Sequence, residues 1–282
     1  MKTTAKHQSL GSAGRGITYL ILTLWSLMVL FPVWTMVINS FKKRLDIYKD
    51  PFGLPSIWSF DSYLAVLKGH QFGRYFFNSI LITVLSLALI LLLGSLASYA
   101  IARWNSKLSR WLYAFMIAGM MIPIRIGSIP LLRMINEMGL MNSLFSLLPI
   151  YVAMGIPVAV LVLTQFIRDI PIEMTEAALI DGAKPRQIYY KIVLKLIQPA
   201  MASVAIYNLV PIWNDLWFPL IFINKESQKT VILGVTTLFG QYQTDWSRIL
   251  AVLTLASLPI LLLYLAMSRQ FVEGLTAGAV KG

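Results

Sequence analysis

The sequence is poor in charge, has no cysteine and contains only two histidines. Charged residues make up 13% of the 282 residues, whereas soluble domains usually carry about 25%, and hydrophobic residues make up 57%. This balance excludes a disordered chain and argues against an ordinary soluble globule. Without cysteine there are no disulfides and no thiol chemistry, and His7 and His70 alone do not suggest a transition-metal site. We therefore expect no metal and no cofactor bound by this chain.

Six long apolar runs follow one another along the chain. A helix needs about 20 apolar residues to cross the hydrocarbon core. Four of the runs contain no charge, and the other two contain one each, Arg125 and Asp215. Backbone that faces lipid cannot be left unpaired, which excludes an open sheet, and the runs lack the short alternation of barrel strands. The sequence therefore predicts an all-α membrane protein with six transmembrane helices, at about 17–40, 75–101, 111–132, 143–167, 199–223 and 249–270.

An even number of spans places both termini on one side of the membrane. That side carries slightly more than half of the 24 Lys and Arg residues, so the positive-inside rule predicts a cytoplasmic N-terminus (1–16) and C-terminal tail (273–282). The loop between the first two spans weakens the asymmetry, because it places six basic residues on the opposite side. These residues are Lys42, Lys43, Arg44, Lys49, Lys68 and Arg74.

The segment 168–198, between the fourth and fifth predicted spans, has the pattern of two short helices. Asp169 and Pro171 are typical of a helix start, and Gly182 is typical of a helix end. A second helix is predicted from Pro185, and its apolar face repeats every four residues. That face consists of Ile188, Ile192 and Leu196. The pattern predicts a compact two-helix knob, and the alternative is an ordinary amphipathic surface loop.

The knob carries a recognisable motif. The pattern Glu176-Ala177-Ala178-x3-Gly182-x9-Ile192-x-Leu194 resembles the EAA loop of ABC importer permeases. The resemblance implies that 168–198 is the coupling loop, which docks in a groove of a cytoplasmic ATPase. The family usually has proline after the Ile-x-Leu, where this chain has Lys195, and the next proline is Pro199. The residues expected to serve coupling are Glu176, Ala177, Ala178, Asp181, Gly182, Ile192 and Leu194.

Two further stretches resemble the carbohydrate-uptake branch of that family. The sequence Trp-Asn-Asp-Leu-Trp-Phe-Pro-Leu at 213–220 looks like the fifth-span signature of carbohydrate importers, and 273–282 is similar to the tail of the maltose-type inner-membrane subunit. The resemblance implies the type I ABC importer permease fold in a bacterial inner membrane, and transport of a carbohydrate by alternating access rather than an enzymatic reaction.

The same resemblance implies a set of partners. They are a second, different permease subunit, two cytoplasmic P-loop ATPases that hold ATP and Mg²⁺, and an extracytoplasmic solute-binding protein. The chain itself has no G-x-x-x-x-G-K-[ST] stretch, so the energy for transport must come from a partner. Membrane lipid is a further expected partner, and no nucleic acid is implied.

Polar residues inside the predicted spans are candidates for the substrate path, because intramembrane charge is rare and usually functional. Their alternative role is a hydrogen bond between helices, which for Asp215 would involve Asn214 or Asn208. Arg125 is expected either to face a cavity or to snorkel outward. The full set of path candidates is Arg125, Tyr151, Asn78, Tyr207, Asn208, Asn214 and Asp215.

The sequence leaves the charge of the substrate open. The run Lys42-Lys43-Arg44, together with Arg125, would attract an acidic, uronate-rich oligosaccharide. Alternatively, the basic residues of the first loop meet lipid headgroups or solvent. Two competing functions are an ABC permease for a non-sugar solute and a membrane enzyme or scaffold. A membrane enzyme should carry acidic residues or histidines clustered at one membrane interface. In this sequence the acidic residues predicted on the cytoplasmic side lie in the coupling loop instead.

Overall fold

The computed structural model describes residues 12–104, 106–239 and 244–279. Within these ranges it contains helices and no strand, in agreement with the predicted all-α class. The first eleven and last three residues of the predicted termini lie outside them. The α-helices are α1 Ser12–Ser40, α2 Arg44–Lys49, α3 Asp61–Lys68, α4 His70–Arg103, α5 Lys107–Met120, α6 Ser128–Glu137, α7 Leu147–Arg168, α8 Ile172–Ile180, α9 Pro185–Ile188, α10 Leu194–Leu196, α11 Gln198–Trp213, α12 Trp217–Phe222, α13 Val231–Val235 and α14 Trp246–Ala279. Short 3₁₀ helices occupy Ile124–Gly127, Leu144–Ser146, Glu226–Gln228 and Thr236–Leu238, and a π-helix occupies Tyr189–Val193.

The number of spans depends on how bent helices are counted. Four stretches of the described residues are long and apolar enough to cross a membrane, namely Gly14–Ser40, Gln71–Arg103, Leu144–Arg168 and Trp246–Leu265. Two bent pairs raise the number to six if each pair is one span. They are Lys107–Met120 with Ile124–Glu137, bent by 84°, and Pro185–Leu196 with Gln198–Trp213, bent by 70°.

The predicted span 111–132 is therefore not one straight helix. α5 ends at Met120, and the chain turns before the 3₁₀ helix Ile124–Gly127 and α6. Pro123 explains the break, because proline has no N–H for a helical hydrogen bond and disfavours the helical conformation of the residue before it. Its own backbone is extended (φ −66°, ψ 106°). The break places Arg125 in a short turn instead of the middle of a helix.

The predicted span 199–223 is also interrupted. α11 ends at Trp213, and α12 begins only at Trp217. The carboxylate of Asp215 accepts hydrogen bonds from the backbone N–H groups of Trp217 (3.1 Å) and Phe218 (3.3 Å). A side-chain acceptor at this position satisfies the first free donors of a new helix. The second charge that the sequence places inside a span thus lies at a helix break.

The described residues divide into two compact units. The first comprises the described parts of Met1–Lys68 and Leu238–Leu255, and the second those of Gly69–Thr237 and Ala256–Gly282. In the first unit, every side chain of α1 from 15 to 34 is exposed. In the second unit, a core forms mainly between α4, α7 and α11. Its largest fully buried side chains include Ile82, Ile90, Ile135, Leu147, Ile150, Leu163, Ile167, Ile197, Phe218 and Phe222.

Two glycines allow helices of the second unit to approach closely. A β-carbon added at Gly94 of α4 would lie 2.6 Å from the β-carbon of Ala159 on α7. A β-carbon added at Gly155 of α7 would lie 2.3 Å from Cδ1 of Ile90 and 2.8 Å from Oδ1 of Asn208. These distances are shorter than any van der Waals contact, so a side chain at either position would force the helices apart.

Candidate functional site

The helix α8 ends at Ile180, and Gly182 stops it as the sequence predicts. This residue has φ +79°, in the left-handed region that glycine adopts without strain. Two hydrogen bonds close the helix end, from Gly182 N–H to the carbonyl of Leu179 (3.0 Å) and from Ala183 N–H to the carbonyl of Ala178 (2.9 Å). This is the Schellman pattern of a glycine stop, and it fixes the direction in which the chain leaves α8.

The predicted coupling residues fall into two groups. Glu176, Ala177, Asp181 and Gly182 are exposed on the knob. The others are partly buried and pack against the core of the second unit, so they hold the knob against this core. They are Ala178, Ile192 and Leu194.

The most exposed apolar residues of this surface are not among those predicted from the sequence. Ile180, at the last position of α8, is 87% exposed, and its neighbour Leu179 is 51% exposed. Met174 and Ile172 are exposed on the same helix. The signal was present in the sequence, because α8 has apolar residues on every side and no single polar face.

The second half of the knob differs from the predicted pattern. Ile188 is buried, but Leu196 is 46% exposed, and the buried positions continue instead at Tyr189, Val193 and Ile197. The π-helix Tyr189–Val193 explains the change, because its wider turn shifts the inward face by one residue. A four-residue repeat assumes unbroken α-helix and therefore points to the wrong face beyond this turn.

The junction with α11 lies where the family's proline is missing. Lys195 is exposed within α10 and does not break the helix. The chain bends by 70° between Pro185–Leu196 and Gln198–Trp213, and Ile197 between them leaves helical geometry (φ −91°, ψ 6°). Pro199 occupies the first turn of α11, where its missing N–H costs no hydrogen bond.

Six of the seven predicted path residues line one cavity of the second unit. The cavity has a volume of about 880 Å³ and lies between α7, the end of α11 and the breaks that follow α5 and α11. Its wall is otherwise largely apolar, with Met120, Met154, Pro157 and Trp217 among the lining residues. The six path residues are Arg125, Tyr151, Tyr207, Asn208, Asn214 and Asp215.

Asp215 organises one wall of this cavity. The Tyr151 hydroxyl donates a hydrogen bond to its Oδ2 at 2.9 Å, in addition to the two backbone donors at the start of α12. The alternative bonds to Asn208 and Asn214 are not formed, because the amide of each asparagine donates to a carbonyl of its own helix. Three donors therefore occupy the Asp215 carboxylate.

Arg125 and Trp217 contact each other in the cavity wall. The guanidinium carbon of Arg125 lies 5.8 Å from the centre of the Trp217 ring, within the range of a cation–π contact. The indole N–H of Trp217 donates to Oγ of Ser128 at 2.9 Å, which holds the ring in place. Within the part of the chain that the structure describes, no carboxylate forms an ion pair with Arg125. Trp217 was not selected from the sequence, although it belongs to the 213–220 stretch.

Asn78 is the path candidate that the cavity does not contain. Its side-chain amide donates to the carbonyls of Ser227 (3.0 Å) and Lys229 (2.9 Å). The next residue, Ser79, accepts a hydrogen bond from Val231 N–H at 2.9 Å. Asn78 therefore fastens the connection between α12 and α13 to α4, which is a structural role.

Lys42 is not available to attract a substrate. Its side chain is 2% exposed, and Nζ donates to the carbonyl of Asp50 at 2.6 Å. The basic run in the first loop thus contributes less surface charge than the sequence suggests.

No group of three or more His, Asp or Glu side chains that could hold a metal ion occurs within the described ranges.

Comparison with known proteins places this architecture in a family. Residues 90–276 match the family described as "binding-protein-dependent transport system inner membrane component". The melibiose/raffinose/stachyose import permease protein MelC of Bacillus subtilis is 33% identical, over 96% of this chain and 99% of its own. The multiple sugar-binding transport system permease protein MsmG of Streptococcus mutans is also 33% identical, over 93% and 96% of the two chains.

A solved structure shares the fold. It belongs to a bacterial ABC transporter involved in the import of the acidic polysaccharide alginate, and it matches with a TM-score of 0.78 over 90% of this chain and 95% of that one. At 20% identity this likeness is one of fold. Because the family match covers well over half of the sequence, the chain belongs to the inner-membrane components of binding-protein-dependent ABC importers, and it is a multi-pass translocation subunit rather than an enzyme.

Proposed function

We propose that this permease carries a carbohydrate and that the cavity between α7, α11 and the two helix breaks is part of its path. The observation that carries the proposal is the composition of the cavity wall, in which two tyrosines and Trp217 stand beside amide and guanidinium groups. Sugars present apolar C–H faces and many hydroxyls, so aromatic rings and polar groups on a largely apolar wall suit them. Relatives named as permeases for melibiose, raffinose and stachyose, or for diacetylchitobiose, support the same substrate class.

Transport by the complete complex in proteoliposomes tests this proposal. Raffinose, diacetylchitobiose and a mixture of amino acids serve as radiolabelled probes. Trp217→Ala should reduce saccharide uptake strongly, whereas Trp217→Phe should retain part of it because a ring remains. Trp104→Ala is the matched control, since Trp104 is 71% exposed and does not line the cavity. Uptake of the amino acids and of neither saccharide would contradict the carbohydrate function.

The knob formed by α8 and α9 supplies the surface for a partner ATPase. Glu176 offers a charge, while Ile180 and Leu179 offer exposed apolar area at the tip. Small residues such as Ala177 allow close approach of a groove. In this proposal the termini and the knob are cytoplasmic, two P-loop ATPases bind ATP and Mg²⁺, and a second, different permease subunit completes the pathway. Nucleotide-driven closure of the ATPases then moves the knob as a rigid body.

Co-purification measures this contact directly. Ile180→Glu should lower the amount of ATPase that purifies with the permease, because it places a charge in an apolar interface. Lys225→Glu introduces the same side chain at an exposed position of another loop and should leave the yield unchanged. Equal ATPase yield from both variants would contradict docking at the tip of α8.

A second candidate within the same function is an acidic saccharide. Arg125 is exposed in the cavity and forms no ion pair among the described residues, although it interacts electrostatically with Asp215, whose carboxylate accepts three hydrogen bonds. The exposed guanidinium is thus the group of the cavity that we propose for an acidic ligand. Competition distinguishes the two substrates: uronate oligosaccharides should inhibit uptake in the wild type and much less in Arg125→Gln. Inhibition only by neutral saccharides would rule out the acidic substrate and leave the carbohydrate function intact.

A further inference from the structure

The loop between α1 and α3, residues 41–60, folds back on the end of α1. Lys42 Nζ donates to the carbonyl of Asp50 at 2.6 Å, and the side-chain amide of Asn39 donates to the carbonyl of Pro51 at 2.7 Å. The backbone N–H of Ser59 donates to the carbonyl of Phe41 at 2.8 Å, which closes the loop. Lys42 is almost fully buried in this arrangement. The loop is therefore a built element with its own buried polar contacts.

This element exposes its apolar side chains. Leu45 and Tyr48 lie three residues apart on α2 and thus share one face of the helix. Six apolar side chains of the loop are more than half exposed: Leu45 70%, Tyr48 60%, Phe52 64%, Leu54 64%, Ile57 66% and Trp58 55%. An apolar surface of this kind marks an interaction site.

The position of Phe52 relates this surface to the depth of the membrane. Its ring stacks on Phe31 of α1, with the ring centres 5.7 Å apart and the planes at 29°. The candidate span Gly14–Ser40 has 27 residues, while the hydrocarbon core needs about 20. Any stretch of about 20 residues within this span contains Phe31, so Phe31 lies at hydrocarbon depth wherever the helix is centred. Phe52 lies beside Phe31, and the side chains of α1 from 15 to 34 are all exposed.

Basic residues flank the apolar face. Lys43 precedes α2 and Lys49 ends it, and both are exposed. Segments that lie in the membrane interface combine apolar and aromatic side chains on one face with Lys and Arg at the polar edge, where phosphate groups of lipids stand. Trp58 adds an aromatic residue of the type that is enriched at this level.

We infer that residues 43–58 are an interfacial anchor, which inserts its apolar side chains into the lipid beside α1 and places Lys43 and Lys49 at lipid phosphates. A surface for a soluble protein is less consistent with the structure, because the contact of Phe52 with Phe31 makes the patch continuous with the exposed side chains of the candidate span Gly14–Ser40. The anchor also accounts for Lys43 and Lys49 of the first loop without invoking substrate charge. It stands independently of the proposed carbohydrate function.

Site-directed spin labelling tests the anchor, because this chain has no native cysteine that would also take up the label. Leu45→Cys and Leu54→Cys are labelled with a nitroxide in the full complex, in nanodiscs of phosphatidylethanolamine and phosphatidylglycerol. Lys225→Cys, on an exposed loop of the second unit, is the control. Labels at 45 and 54 should collide with oxygen and be protected several-fold from an aqueous nickel chelate relative to the control.

Two results would overturn the inference. One is nickel accessibility at 45 and 54 equal to that at 225. The other is protection that arises only when a soluble binding protein is added, which would assign the surface to a protein partner. The phosphate contacts have their own test: in the double variant Lys43→Gln, Lys49→Gln, the label at 45 should gain nickel accessibility. An unchanged value would show that these lysines do not hold lipid.

Discussion

The hydroxyl groups of Tyr189 and Ser95 are hydrogen bonded at 2.7 Å in a buried position between the knob and α4. Tyr189 begins the π-helix that follows α9, and its ring also packs against Tyr99 of α4, with ring centres 5.3 Å apart. Next to Ser95, Gly94 brings α4 into close contact with α7, which carries Tyr151 of the cavity wall. The contact therefore belongs to a continuous chain of packed groups from the knob to the cavity.

Tyr189→Phe should weaken the coupling of ATP hydrolysis to transport. The variant keeps the ring packing and removes one hydrogen bond, worth about 1 kcal/mol, while the Ser95 hydroxyl keeps only its bond to the carbonyl of Leu92. We expect normal assembly with the ATPase but less transport per ATP hydrolysed, measured in proteoliposomes. Tyr190→Phe is the matched control, because Tyr190 is exposed and adjacent.

A double-mutant cycle separates this contact from a general loss of stability. If the two hydroxyls act through each other, Ser95→Ala with Tyr189→Phe should be no worse than the more damaging single change. Additive losses, or equal effects of Tyr189→Phe and Tyr190→Phe, would show that the hydrogen bond does not transmit motion.

Substitutions at Gly182 should impair coupling increasingly in the order Asn, Ala, Val. The residue has φ +79° and open space around it, so the cost is one of backbone conformation rather than collision. A left-handed residue costs about 1–2 kcal/mol for side chains other than glycine, less for asparagine and more for β-branched residues. Gly182→Asp adds a charge to this strain and should uncouple transport while the protein still reaches the membrane.

Substrate-stimulated ATPase activity and transport, measured on the same preparations, report this series. Gly73→Ala is the control, because Gly73 also has open space but lies within α4 without a positive φ. Normal transport with normal ATPase stimulation in Gly182→Asp would remove the coupling role from this turn.

The sequence predicted the helical class and the composition of the candidate site better than the course of the helices. A hydrophobic run indicates the length and polarity of a membrane span, and a charge within a run indicates a polar cavity. Arg125 and Asp215 were predicted as path residues for this reason. The same runs do not show where a helix breaks. Pro123 gave a local signal for the first break, but the second depends on Asp215 accepting two backbone donors, a contact that appears only in three dimensions.

Three expectations from the sequence differ from the contacts in the structure, because residue patterns do not show backbone irregularities or the hydrogen bonds that form on folding. A regular α-helical repeat placed Leu196 in the core, whereas the π-helix turns Ile197 inward. Asn78 looked like a path residue because it is polar, but two carbonyls of a distant loop take its amide. Lys42 looked like a surface charge, yet it is buried against a carbonyl of its own loop.

The stability of the connection between α12 and α14 should depend on pH through Glu226. Hydrogen bonds from Lys229 and then from Tyr75 lower the pKa of its carboxyl below the ordinary value of 4.5. The pKa of the carboxyl is lower in the folded state than in the unfolded state. The stabilisation is therefore fully present above pH 4.5 and is lost as the pH falls through the folded-state pKa. The region should therefore open more readily in acid.

Amide exchange at Val231 and Gly234 reports this opening, with wild type and Glu226→Gln compared at each pH so that intrinsic exchange rates cancel. Above 4.5 the wild type should be better protected, and the difference should vanish in acid. Thr18→Ala, in α1 of the first unit, is a control for the effect of substitution. A difference between wild type and Glu226→Gln that is the same at every pH would contradict the role of this carboxylate.

Asp215→Asn should disrupt the start of α12 and, with it, the position of Trp217 in the cavity. The carboxylate accepts from Tyr151 and from two backbone N–H groups, whereas an asparagine turns an N–H group toward at least one of these donors. Leaving a partly buried donor such as the Phe218 N–H or the Tyr151 hydroxyl without its partner destabilises the fold, so the thermal midpoint in detergent should fall and saccharide transport should fall with it. Asn214→Ala is the neighbouring control for stability, because Asn214 is exposed and its amide bonds only within its own helix. An unchanged midpoint for Asp215→Asn, or an equal fall for Asn214→Ala, would show that Asp215 does not organise the cavity wall.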